Sequence, residues 1–277
     1  MGNGNTYLQK SVEANLRATQ LKILDILLLF DGICRKYGLR YWLDGGTLLG
    51  AVRHQGFIPW DDDLDVGMPS EDLRRFLEVA SQEIPTHIEL QTRKNAGGYF
   101  YCVRLYDKDS FLLGKDGIHD VAFSGVCLEI FEFISYPSFA LKLVKHITRK
   151  ICISKIYFNA LHRITGRACV KYFFFRIRYG VYWLIWWILT FLRGEKYISN
   201  VPYNNVYGIV HRVRDIYPLS EIRFEGHAFN CPANPDGYLT DLYRNYMQLP
   251  PEEKQKPTHT LYVNPSLSNE STFSEYL

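Results

Sequence analysis

The sequence predicts an α/β fold of the α+β kind, a mixed sheet flanked by helices. Three observations carry this. A long helical pattern opens the chain, short strand-like runs alternate with helices from residue 39 to 133, and a basic, aromatic, helical stretch follows. The 277 residues suit one sizeable domain with ample core, and the reading takes 1–277 as one domain interrupted by a helical insertion at 135–198.

Residues 7–37 read as one helix, because Leu16, Ile23, Leu24, Leu27, Leu28, Ile33 and Cys34 recur at helical spacing. Gly38 ends it, with Arg35 and Lys36 in the last turn, where the helix dipole favours cations. Leu39–Leu43 reads as a short strand running into Asp44-Gly45-Gly46-Thr47, and 47–53 as a short helix starting from that turn. The run from Asp61 to Met68 reads as a strand. Ser70 is the expected N-cap of a helix that reaches about Ser81. Further strands are expected at 88–92, 99–107 and 125–133. From about Pro137 to Leu192 the pattern is helical. A polar tail is expected to be flexible over 265–277.

The net charge of +3 hides an asymmetry. Between Phe133 and Gly194 stand 11 Lys and Arg and no Asp or Glu. Removing those 11 from the chain's 32 leaves 21 basic residues against 29 acidic ones, a net of −8 for the remainder. A basic block set in an acidic chain points to a polyanionic partner, lipid or nucleic acid. Within the block, residues 179–192 carry no charge and include Trp183, Trp186 and Trp187. A bilayer span needs about 20 apolar residues, so 14 are too few. Attachment at an anionic membrane interface is the preferred reading. A buried core helix and a true span are the alternatives. Nucleic acid fits less well, because the aromatics cluster with Leu and Ile rather than standing singly among basic residues. The N-terminal residues lack the apolar core of a signal peptide, and the six cysteines show no zinc spacing. Both suggest a cytoplasmic protein held on the inner face of the membrane.

The run Gly45 to Asp65 carries the chemistry. A Gly-Gly-Thr turn feeding a helix exposes backbone N–H groups at a positive helix end, a cradle for phosphate. An ordinary turn has the same sequence. In a strand, Asp61, Asp63 and Asp65 share one face and Asp62 points away. Three carboxylates together repel unless a cation lies among them, and hard oxygen ligands suit Mg²⁺ or Mn²⁺. A solvated acidic turn is the bland alternative, but Trp60, Leu64, Val66 and Met68 argue against full exposure. Glu129 lies mid-strand among apolar residues. It would complete the metal site, act as general base on an acceptor hydroxyl, or form a structural salt bridge. Arg53 and His54, following the cradle, and Arg104, on a strand near Glu129, are candidates for donor phosphate.

The run from Tyr41 to Met68 resembles the signature of the LicD family, which includes bacterial phosphocholine transferases and is similar to the fukutin group. Arg104 to Ser110 and Tyr238 to Lys254 fit the same family, so the resemblance covers about residues 15–134 and 205–260. It implies a nucleotidyltransferase-like fold and transfer of a phospho-alcohol or phospho-sugar onto a glycan. By position it implies Asp61, Asp63 and Asp65 as metal ligands, Gly45, Gly46 and Thr47 as donor-phosphate contacts, and Glu129 where the family usually has Asp. The implied donor is CDP-choline or another CDP-alcohol, and the implied acceptor a bacterial surface glycan, lipid-linked in one form. A nucleotide-sugar donor and a silent membrane adaptor are the rivals. Glu132, Ile134 and Arg244-Asn245 depart from the family pattern, where donor or acceptor specificity would be set.

Overall fold

The computed structural model describes residues 2–92, 102–114, 125–136, 139, 141–159, 166–191, 194, 196–200 and 209–266, by backbone alone at 2–10, 136, 144, 156, 158, 159 and 190. It divides into two compact units, residues 1–131 with 219–232 and 245–277, and residues 132–218 with 233–244. The expected flexible tail lies, but for its first two residues, outside the described residues.

The first unit opens with α1 (Gly2–Tyr37), the helix its apolar spacing predicts. Ile23, Ile26, Leu27 and Phe30 are buried, and Phe30 packs edge-on against Tyr41 and Phe76 at 5.0 and 5.2 Å. Next come β1 (Trp42–Leu43), α2 (Gly45–His54), β2 (Asp65–Pro69), α3 (Ser70–Glu83), β3 (Ile88–Gln91), β4 (Val103–Asp107), β5 (Phe111–Gly114) and β6 (Cys127–Tyr136). The sheet order is β1-β2-β6-β4-β3, with helices packed against it, as the α+β class requires. The fully buried Trp42 lies across β2. A Cβ on Gly67 would stand 2.5 Å from its indole, so only glycine lets the strands approach here.

The chain enters the second unit through β6. There it forms α4 (Leu141–Asn159), α5 (Arg167–Thr190), β7 (Tyr197–Ser199), β8 (His211–Arg212) and the short α6 (Val213–Ile216). Residues 134–136 of β6 pair with β7, which pairs with β8. Ile134, Ile147, Ile151, Trp186 and Val210 form the core, with Tyr179, Tyr182 and Trp183 packed on it. A hairpin, β9 (Ser220–Phe224) and β10 (His227–Cys231), belongs to the first unit. Then α7 (Pro235–Tyr243) returns to the second, and β11 (Thr260–Asn264) pairs with β5 in the first.

Two local expectations are corrected. Residues 61–64 are not strand, because their polar groups are engaged elsewhere. The Asp61 carbonyl accepts from Gln20 Nε2 at 2.9 Å, and its N–H donates to Ile58 O at 2.9 Å. Helix α3 begins at Ser70 itself, with Pro69 at the N-cap and no side-chain capping bond. Proline fixes the entry angle instead.

Candidate active site

Asp44 caps α2, its carboxylate accepting from Gly45 N at 2.7 Å. Gly45 stands at φ 51°, a left-handed conformation open to glycine. The N–H groups of Gly46 and Thr47 are first-turn donors, for which an α-helix supplies no acceptor. Thr47 Oγ1 accepts from Asp65 N at 2.8 Å, and Asp44 N donates to Asp65 O at 3.0 Å. These two bonds lock the start of α2 onto the start of β2. A Cβ on Gly46 would lie 2.8 Å from Asp61 Oδ2, so the helix start and the acidic run are in direct apposition.

Asp61, Asp63 and Asp65 therefore come together by a route other than strand alternation. The Asp61 and Asp63 carboxyls lie near enough for each to act on the other's proton affinity. Burial, and then the charge of Asp63, raise Asp61 above the ordinary carboxylate range. Burial raises Asp63 against the opposing pull of His259. Asp65 is raised by burial and then by the charges of Asp63, Glu129 and Asp44. Six acids, Asp62 included, thus sense one another in a half-buried place. His259 Nε2 stands 3.4 Å from Asp63 Oδ2, and Arg104 pairs with Glu129 directly across β4 and β6. The donor set is all oxygen and carries more negative charge than its cations balance, which fits a hard divalent ion. Among the described residues no three His, Cys, Asp or Glu side chains stand at metal-ligand spacing.

The fourth aspartate does something else. Asp62 is buried and accepts from Thr260 N at 2.7 Å and His259 N at 3.4 Å, holding the start of β11 beside the acidic run. Replacing Asp62 with Ala leaves those N–H groups without their acceptor and should cost about 2 kcal/mol in a denaturant titration. Transfer should fall as well, since His259 loses its anchor.

Arg53 and His54 are not brought to the helix start. They lie at the opposite end of α2, about 12 Å along its axis. Arg53 Nη1 donates to Tyr246 O at 3.1 Å, and His54 stands edge-on to Trp60 at 6.4 Å. Asp44 and His259 join the cluster unannounced by the motif. An Asp immediately before a glycine-led helix is an N-cap signal that identifies the first. No spacing in the sequence identifies His259.

Comparison with known proteins assigns the family. The family described as LicD/FKTN/FKRP, nucleotidyltransferase domain, matches residues 38–139, which hold both halves of the acidic site. The lipopolysaccharide cholinephosphotransferase LicD of Haemophilus influenzae is 30% identical over 271 residues, spanning 88% of this chain and 96% of that protein. The chain belongs to the LicD family. It is a LicD-type phosphotransferase. Shorter matches fall on an uncharacterised Rickettsia prowazekii protein, 65% identical over 47 residues, and human ribitol 5-phosphate transferase FKRP, 55% identical over 42 residues. These cover 17% and 15% of this chain, and 18% and 8% of those proteins.

Proposed function

We propose that this LicD protein transfers phosphocholine, or a similar phospho-alcohol, from a CDP-activated donor to a hydroxyl of a bacterial cell-surface glycan. The observation that carries the reading is the apposition of Gly46, at the start of α2, with the Asp61 carboxylate in a cluster of half-buried acids. Asp61, Asp63 and Asp65 would hold Mg²⁺ or Mn²⁺, which supplies neutralisation of the donor diphosphate oxygens. The N–H groups of Gly46 and Thr47, at a positive helix end, would hold the same phosphates. Glu129 accepts the proton of the attacking sugar hydroxyl, and Arg104, paired with it across the strands, holds that carboxylate in place. The acceptor is presented at an anionic membrane surface, with the protein peripheral to its cytoplasmic face.

The similarity to a ribitol 5-phosphate transferase favours a phospho-polyol as a second reading. A donor screen decides. With Mn²⁺ and a glycan acceptor, CDP-choline should give CMP and a phosphocholine-sized mass gain on the glycan. A gain from a CDP-activated ribitol phosphate alone would select the second reading. UMP or GMP release from nucleotide sugars, with none of CMP, would replace both by sugar-1-phosphate transfer. Absence of any nucleotide binding by calorimetry would leave a silent adaptor.

A further inference from the structure

In α5 the apolar residues split into two faces. Tyr179, Tyr182, Trp183, Trp186 and Leu189 pack into the core of the second unit, and Trp186 is fully buried there. The other face runs Val170, Phe174, Ile177, Val181, Leu184, Ile188 and Phe191, each between 51% and 72% exposed. The spacing alternates four and three residues, so these side chains form one stripe about 32 Å long. A helix apolar on both faces is at home in a protein core or a lipid phase. The second unit supplies core to only one of them.

Charge identifies what covers the other. Helices α4 and α5 together carry nine Lys and Arg and no Asp or Glu. At 3.6 residues per turn, the exposed Lys171 and Arg176 fall on opposite flanks of the stripe. Arg178 has a different task, donating to Ser154 Oγ at 2.7 Å and covering the Phe175 ring at 4.7 Å, which fastens α5 to α4. A second copy seated on the stripe would bring two acid-free, strongly basic helix pairs together, and like charges oppose that. An anionic lipid surface accepts both the stripe and its flanks. No described helix is long and apolar enough to cross a membrane.

We propose that α5 lies in the plane of an anionic bilayer, with the Val170–Phe191 stripe in the acyl boundary and Lys171 and Arg176 at the headgroups. This rests on the reading of the protein as a transferase working at a membrane, and it names the seat. The arrangement differs from a span in that Tyr179, Trp183 and Trp186 stay in the protein core.

The test uses the full chain and vesicles of phosphatidylcholine with and without phosphatidylglycerol. The chain should float with the anionic vesicles, and binding should weaken with salt. The triple variant Phe174→Ser, Ile177→Ser, Val181→Ser alters only exposed positions and should weaken binding by at least about tenfold. Lys171→Glu with Arg176→Glu should remove the preference for phosphatidylglycerol. Far-UV circular dichroism checks that both variants fold. CMP release on a soluble glycan fragment should be unchanged in the triple variant, while transfer to a vesicle-embedded acceptor falls. Vesicle binding by a chain inactive on every donor would sink the assigned reaction and leave this seat standing. Equal binding by parent and triple variant would overturn the seat. So would a parent that ignores vesicles but forms a dimer that the triple variant dissolves.

Discussion

Asp63→Asn should lower transfer by on the order of 10³-fold or more, the scale of losing a fixed electrostatic contact to a charged transition state, yet leave the metal-free protein at least as stable as the parent. The two halves of this result have one cause. Asp63 raises Asp61, feels the charge of Glu129, and raises Asp65 in turn. The folded chain holds protons on these carboxylates more tightly than the unfolded chain does. Metal-free stability therefore declines as pH rises above the ordinary carboxylate range, where the unfolded chain has already released them. Asparagine keeps the shape of Asp63 and removes its charge, so at neutral pH it relieves repulsion. The same charge is what a divalent cation would need.

Mn²⁺ separates these effects in one instrument. A ligand at 100 times its dissociation constant stabilises the parent by about 2.7 kcal/mol. Asp63→Asn should begin from an equal or higher melting temperature and gain little from the metal. If the variant retains full transfer activity, Asp63 holds no metal and the chemistry lies elsewhere. A variant that melts far below the parent without metal would show that the acid supports the fold rather than opposing it.

Much of this arrangement could be read along the chain, and the part that could not is explained by distance. The period of α1 follows from local spacing, because one face of that helix must be apolar to be buried. The nearness of Gly-Gly-Thr to the aspartate run was legible for a similar reason, since about one helix and one loop separate them. The extent of β2 was not. Residues 61–64 are shaped by Gln20 on α1 and by the backbone ahead of β11, and no periodicity within the run records those partners. For the same reason β5 and β11 hid from sequence reading. Each is short, and Gly114 finds Thr260 only in the folded chain. Asp62 shows the point most sharply. Four neighbouring aspartates look alike in sequence, but Asp62 is used on the backbone of β11 while Asp61 lies against the start of α2. The basic aromatic stretch is settled on one side only. One face of α5 is core and the other is exposed, and only packing could assign them.

Arg104→Met should destabilise the metal-free protein by about 2 kcal/mol, less than removing one partner of a fully buried ion pair because this pair is partly solvated. The Arg104 and Glu129 side chains are 25% and 22% exposed and face each other across β4 and β6. Burial opposes the charge on Arg104, and Glu129 outweighs that opposition and holds the guanidinium protonated. Without the arginine, Glu129 faces Asp63 and Asp65 with one compensating charge fewer. A divalent ion supplies that charge, so Mn²⁺ should recover a larger share of stability in Arg104→Met than it adds to the parent. The double variant Arg104→Met, Glu129→Leu removes both charges from the strands and should return near parental stability, because a matched apolar pair replaces a matched ionic one. Its activity then decides what Glu129 does. If the carboxylate serves only to satisfy Arg104, the double variant transfers as the parent does. If Glu129 takes the proton of the attacking hydroxyl, the double variant folds, binds Mn²⁺ and nucleotide, and loses roughly 10² to 10⁴-fold in rate, the range ascribed to a positioned general base.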